Sequence, residues 1–157
     1  MKKEDQILVL GIGNEIRGDD GVGIHLARRL KEILPSRYEI KELTTAGLDL
    51  MWAISGYGEV FLIDAINTPG GVPGEVYHLE LEDSRYSSNV SSFHALNLAQ
   101  VLELGRKLIG DRMPDKIKLL VVEAPRVNEF SQNLSPEIEE QFDDIVEDLR
   151  TEIETEN

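Results

Sequence analysis

The sequence predicts an α/β fold, a three-layer α/β/α sandwich around a mostly parallel twisted sheet of about five strands. Three observations carry this. Short apolar runs suited to strands buried on both faces alternate with amphipathic helical patterns along the 157 residues. The apolar fraction of 41% is that of an ordinary globular chain, and the length suits one domain, residues 1–157, around a single core. No repeat, linker or low-complexity stretch interrupts the order β-α-β-α-β-β-α-β-α.

Gln6–Gly11 is a near-continuous apolar run and reads as the first buried strand. From Asp19 to Leu34, the residues Val22, Leu26, Ala27, Leu30, Ile33 and Leu34 recur at helical spacing, and Pro35 ends the pattern. Tyr38–Leu43 is a short strand. Gly47–Ile54 is a weak helix closed by Gly56 and Gly58. Glu59–Ile66 is the second clear core strand, and Thr68–Gly74, with two prolines and three glycines, is a loop. Glu75–Leu81 alternates as an edge strand does and suits an antiparallel pairing. Arg85–Ser92 is polar and is expected to be mobile. Ser91 or Ser92 then caps a helix with the stripe Ala95, Leu98, Ala99, Leu102 and Ile109. Lys116–Glu123 is a buried strand. Ser135-Pro136-Glu137 combines an N-cap, a proline at the first helical position and a first-turn acid, and the helix it opens carries the stripe Ile138, Phe142, Ile145, Val146, Leu149 and Ile153.

Composition removes several function classes. There are no cysteines, which excludes disulfides, thiolate catalysis and thiolate metal sites. The early apolar run Ile7–Ile12 is too short for a signal core or a membrane span, so a cytoplasmic protein with no membrane contact is expected. The formal net charge is −14; from Ser135 onward ten acids and one arginine give −9, leaving −5 for the rest. That C-terminal excess reads as one solvated helix face. The overall sign repels phosphate backbones, so no nucleic-acid partner is expected. One core accounts for every amphipathic stripe, and a monomer is the default.

In open α/β sheets, ligands bind beyond the carboxyl ends of the strands. Three features fall there: Asp19-Asp20 after the first strand, Asp64 closing the apolar run Val60–Ile63, and His94 opening a helix. A helix N-terminus disfavours imidazolium, which leaves a neutral imidazole able to ligate. Two carboxylates and an imidazole suit a divalent borderline metal such as zinc or nickel, with positions left open for substrate. Each residue also has a plainer role. Asp19 alone reads as a helix cap, Asp20 as complement to the helix dipole, and His25 and His78 as surface residues. Two rival motifs fit less well. A dinucleotide fingerprint needs a third glycine where Ile16 stands. A phosphoacceptor receiver places its acids directly after the first strand and ends its last strand on lysine, whereas this chain has Glu123-Ala124-Pro125-Arg126 there.

The block Gly11-Ile-Gly-Asn-Glu-Ile-Arg-Gly-Asp-Asp-Gly-Val-Gly23, then Thr45-Ala-Gly47, then Leu62-Ile-Asp-Ala65, then a histidine opening a helix, resembles the maturation endopeptidases of nickel–iron hydrogenases. The similarity spans nearly the whole chain. It implies that Asp20, Asp64 and His94 are the metal-contacting triad and that Asp19 orders the turn. It implies as partner and substrate a hydrogenase large-subunit precursor, whose C-terminal extension is removed once nickel is in place. The nickel then arrives with the substrate, and zinc or cadmium are able to take its place on the same ligands. Where the family carries an Asp-Gly-Gly-type turn before the Thr-x-Gly block, this chain has Glu42-Leu43-Thr44, keeping the acid and dropping the glycines. Glu42 enters as a weak candidate general base. Two other readings stay open here: a non-catalytic metal-binding or chaperone-like module for a maturing subunit, and a self-contained metallohydrolase with its own zinc.

Overall fold

The computed structural model describes residues 3–44, 48–80 and 95–155. Five strands form one sheet in the order β2-β1-β3-β5-β4, with β1 Lys3–Ile12, β2 Tyr38–Leu43, β3 Tyr57–Ile66, β4 Val76–Leu79 and β5 Lys116–Glu123. β2, β1, β3 and β5 run parallel, and β4 closes one edge antiparallel to β5. The helices are α1 Val22–Ile33, α2 Leu48–Ile54, α3 Ala95–Leu108 and α4 Pro136–Thr155. Among the described residues no helix is long and apolar enough to cross a membrane.

Side-chain alternation along the strands divides the interior into two cores. Ile7, Val9, Phe61, Ile63, Leu120 and Val122 pack with Val22, Leu26 and Leu30 of α1 and with Ile138, Ile145 and Leu149 of α4. Leu8, Leu10, Ile12, Leu62, Leu119 and Val121 pack with Leu50 and Ile54 of α2 and with Val101 and Leu102 of α3. The predicted three layers are therefore present, α1 and α4 on one face, α2 and α3 on the other. Both apolar faces of the central strands are covered, which is why they read as continuous apolar runs.

Most boundaries fall near those predicted, and the edge strand is antiparallel as its alternation suggested. One difference bears on function. The helical pattern begins at Asp19, but α1 begins at Val22, and Gly18–Gly21 form a 3-10 turn before it. Gly18 takes φ +57°, a conformation open to glycine, and diverts the chain before the helix can start.

α1 lies very close to the sheet. A Cβ on Gly23 would stand 2.4 Å from the Ile12 carbonyl oxygen and 2.5 Å from that of Ile63. A Cβ on Gly11 would stand 2.3 Å from the Gly23 carbonyl oxygen. The two glycines let the first turn of α1 rest directly on the ends of β1 and β3. Because these neighbours are backbone atoms held in the sheet, Gly23→Ala is expected to cost about 3 kcal/mol, the upper end for overpacking, in urea denaturation.

Candidate functional site

The segment between β1 and α1 folds back on itself through its own polar groups. Arg17 N–H donates to the Asn14 carbonyl at 3.1 Å, and Asp20 N–H donates to the Arg17 carbonyl at 3.1 Å. The Asn14 backbone N–H then donates to Asp20 Oδ2 at 3.1 Å. Asp20 is 1% exposed, so its carboxylate sits inside the turn.

The neighbouring carboxylate serves another purpose. Asp19 Oδ1 accepts the Ser135 N–H at 2.7 Å, and Oδ2 accepts the Arg126 N–H at 3.0 Å. Its own N–H donates to the Arg126 carbonyl at 2.9 Å. Gly18 N–H donates to the Ser131 carbonyl at 2.7 Å, and Ser131 N–H donates to the Ile16 carbonyl at 2.9 Å. Asp19 is thus a cap, but of the entry to α4 rather than of α1. The predicted N-cap Ser135 does precede α4, yet its hydroxyl is buried with no hydrogen-bond partner, and the Asp19 carboxylate reaches its N–H instead. A carboxylate at a helix N-terminus complements the helix dipole better than a hydroxyl does.

Asp64 is fully buried in β3, between Leu62 and Ile66 in the alternation, and so on the α2–α3 face. Its Oδ1 accepts the N–H of Ala65 at 2.8 Å. Gly11 pairs with Ile63, and Gly23 rests on the Ile12 and Ile63 carbonyls. The turn carrying Asp20 therefore lies over the ends of β1 and β3, at the level where Asp64 follows Ile63. Two buried carboxylates thus stand at one edge of the sheet, where α/β folds place ligands. His94 and the Thr45–Gly47 block lie outside the described residues, as does Arg85–Ser92.

Glu42 is at the same edge on the other face. It pairs in register with Gly11, and Arg28 of α1 holds it, with Nε donating to Oε2 at 3.0 Å and Nη2 to Oε1 at 2.9 Å. The same guanidinium grips Glu15 through two bonds of 2.8 and 2.9 Å. The hydrogen bonds from Arg28 hold the Glu15 carboxyl below its ordinary value, and the two glutamates push the Arg28 guanidinium further up.

Sequence reasoning missed Glu123. It is 2% exposed at the end of β5 and accepts both the N–H of Thr68, at 2.8 Å, and its hydroxyl. With Gly74 N–H donating to the Glu123 carbonyl at 2.8 Å, it anchors the Gly/Pro loop at both ends. The signal was present, because an apolar run ending in an acid occurs at Glu123 as it does at Asp64. His78 is exposed as expected. His25 is not simply a surface residue: it is half-buried, and its Nε2 is enclosed without a hydrogen-bond partner.

Residues 24–152 match the family described as hydrogenase maturation protease. The hydrogenase 2 maturation protease of Escherichia coli K12 is 31% identical over 147 residues, which covers 92% of this chain and 88% of that protein. Among solved structures, the hydrogenase maturating endopeptidase HybD of E. coli superposes with a TM-score of 0.76 at 26% identity, covering 97% of this chain and 94% of that one. The [NiFe] hydrogenase maturation protease HybD of Thermococcus kodakarensis gives 0.69 at 25% identity, covering 93% and 97%.

Two measurements probe these assignments. Asp19→Ala strands the buried N–H of Ser135 and the part-buried N–H of Arg126, and should cost about 3 kcal/mol in guanidinium denaturation. Arg28→Ala should return Glu15 to near its ordinary 4.5 in an NMR titration. Because the folded-state value of Glu15 is lowered, the pair's contribution is present above about 4.5 and is lost as pH falls through the lowered value; at this exposed position it is small.

Proposed function

Since the chain belongs to the hydrogenase maturation protease family, a family of peptidases, we propose that it removes the C-terminal extension of a nickel–iron hydrogenase large-subunit precursor after nickel insertion, and that Asp20, Asp64 and His94 recognise the nickel the precursor carries. The observation that carries the site reading is the burial of Asp20 and Asp64 at one edge of the sheet. Two carboxylates with one imidazole form a donor set suited to a divalent borderline metal. His94 immediately precedes α3, which packs on the face where Asp64 lies.

Within this reading, each residue has a physical task. Asp20 is oriented by the Asn14 N–H and Asp64 by the Ala65 N–H, so the two ligands are aimed before the substrate arrives. The substrate's nickel supplies a Lewis acid near the scissile carbonyl. Asp19 holds the turn against the entry to α4, which keeps Asp20 in register with β3. A general-base role for Glu42 requires its release from Arg28, so the reading rests on the other three residues. We place the protein in the cytoplasm as a monomer, with no part played by membrane or nucleic acid; its charge of −14 supports the last point.

Nickel-loaded and nickel-free precursor, each incubated with the purified protein and weighed by mass spectrometry, provide the test. The loaded form should shorten and the nickel-free form should keep its length. Equal cleavage of both would remove nickel recognition, and unchanged length of both would leave only a binding role. Asp64→Asn and His94→Ala should each lower processing by more than about 100-fold, since disturbing even the groups behind metal ligands costs 10- to 100-fold. Circular dichroism should show both variants folded.

A further inference from the structure

Large apolar side chains left in solvent are unevenly placed on this protein. Of the seven that the described residues expose, five lie on loops or helices that leave the carboxyl ends of the strands. Ile16 follows β1, Leu48 opens the helix after β2 with Trp52 one turn along it, Val72 follows β3, and Phe130 follows β5. Only Leu104 and Leu108, on the second half of α3, lie toward the opposite edge. Scattered exposed apolar residues need no explanation, but their concentration around one edge does. That edge holds Asp20 and Asp64.

Phe130 is the strongest case, at 88% exposed. An aromatic ring so displayed usually sits on a loose loop. Here the loop is fastened on both sides of it: Ser131 exchanges backbone hydrogen bonds with Ile16 and Gly18, and Asp19 binds Arg126 and Ser135. Arg17 adds a bond to the Asn128 side chain. Ile16, on the turn that carries Asp20, and Phe130, on the loop after β5, are thus neighbours through Ser131. Val72 stands on the loop that Glu123 anchors. A side chain displayed on a braced loop loses little freedom on binding, and Trp52 is of the residue type enriched in protein-binding hot spots.

We infer that Ile16, Leu48, Trp52, Val72 and Phe130 form an apolar docking rim that seats the folded body of the precursor around the Asp20–Asp64 edge. The inference rests on the processing reading above, and it adds the surface that would hold the substrate. A second copy of this chain fits the rim less well, because it would cover the edge that the scissile segment must reach.

The test compares Ile16→Ser/Phe130→Ser and Leu48→Ser/Trp52→Ser with a control, Leu104→Ser/Leu108→Ser, on nickel-loaded precursor. Each rim variant should raise KM about tenfold with kcat within about twofold, as loss of a docking contact requires. Thermal midpoints should not move, since exposed substitutions leave stability nearly unchanged. Unchanged KM in both rim variants overturns the inference, and so does an equal rise in the control. A rim variant that changes only the chain's own oligomeric mass assigns the rim to self-association and overturns it too. If the unsubstituted protein cuts no precursor, the processing reading fails by itself. Calorimetric binding of precursor to the Asp64→Asn form then decides: an affinity loss of about tenfold in the rim variants supports docking, and no loss, or no binding at all, refutes it.

Discussion

The contact between the first turn of α1 and the carbonyl ends of β1 and β3 constrains everything built at that edge. It exists because Gly11 and Gly23 carry no side chain; a methyl group would fall 2.3 Å from a backbone oxygen at Gly11 and 2.4 Å from one at Gly23. The approach fixes the height of α1 over the sheet, and with it the path of the segment from Gly13 to Val22 that contains the 3-10 turn. The turn has little choice of course, so Asp19 and Asp20 emerge in opposite directions with separate jobs. The glycine-rich segment is thus used for contact between backbones, and its acids exclude the phosphate that similar turns cradle in other α/β folds.

Adjacent carboxylates would ordinarily compete for the same donors. Here their surroundings separate them. Asp19 is consumed by two amides of the segment entering α4, and Asp20 is turned inward by the amide of Asn14. A similar division appears at the ends of β3 and β5, where Asp64 and Glu123 close runs of the same character. Glu123 is spent holding a loop, while Asp64 is buried in β3 directly after Ile63, whose carbonyl Gly23 rests on.

Much of the fold was legible because strand burial and helix amphipathicity are local properties of the chain. Tyr38–Leu43 and Lys116–Glu123 fall where they were expected, residue for residue. The antiparallel edge was legible in the alternation of Val76–Leu79. The start of α1 was not, since apolar spacing is blind to the 3-10 turn that Gly18 introduces. Long-range partnerships were invisible for a different reason. Asp19 finds amides 107 and 116 residues away, and no local pattern announces such a pairing. Asp64 was legible as a candidate because an acid closing a buried run is chemically conspicuous, and Asp20 because it is one of two adjacent acids at the mouth of a helix. Glu42 entered only through the family resemblance, and the tertiary contact with Arg28 shows what occupies it.

The joint between the 16–19 segment and residues 126–135 also has a temporal side. It links the first strand's exit to the last strand's exit, so it closes a loop of more than 100 residues, among the slowest contacts a chain of this size can make. During synthesis the N-terminal half can lay down β1, α1 and β2 from neighbouring contacts alone. The edge carrying Asp20 gains its final bracing only after β5 and the start of α4 have left the ribosome. An unfinished chain therefore lacks the clamp that braces this edge.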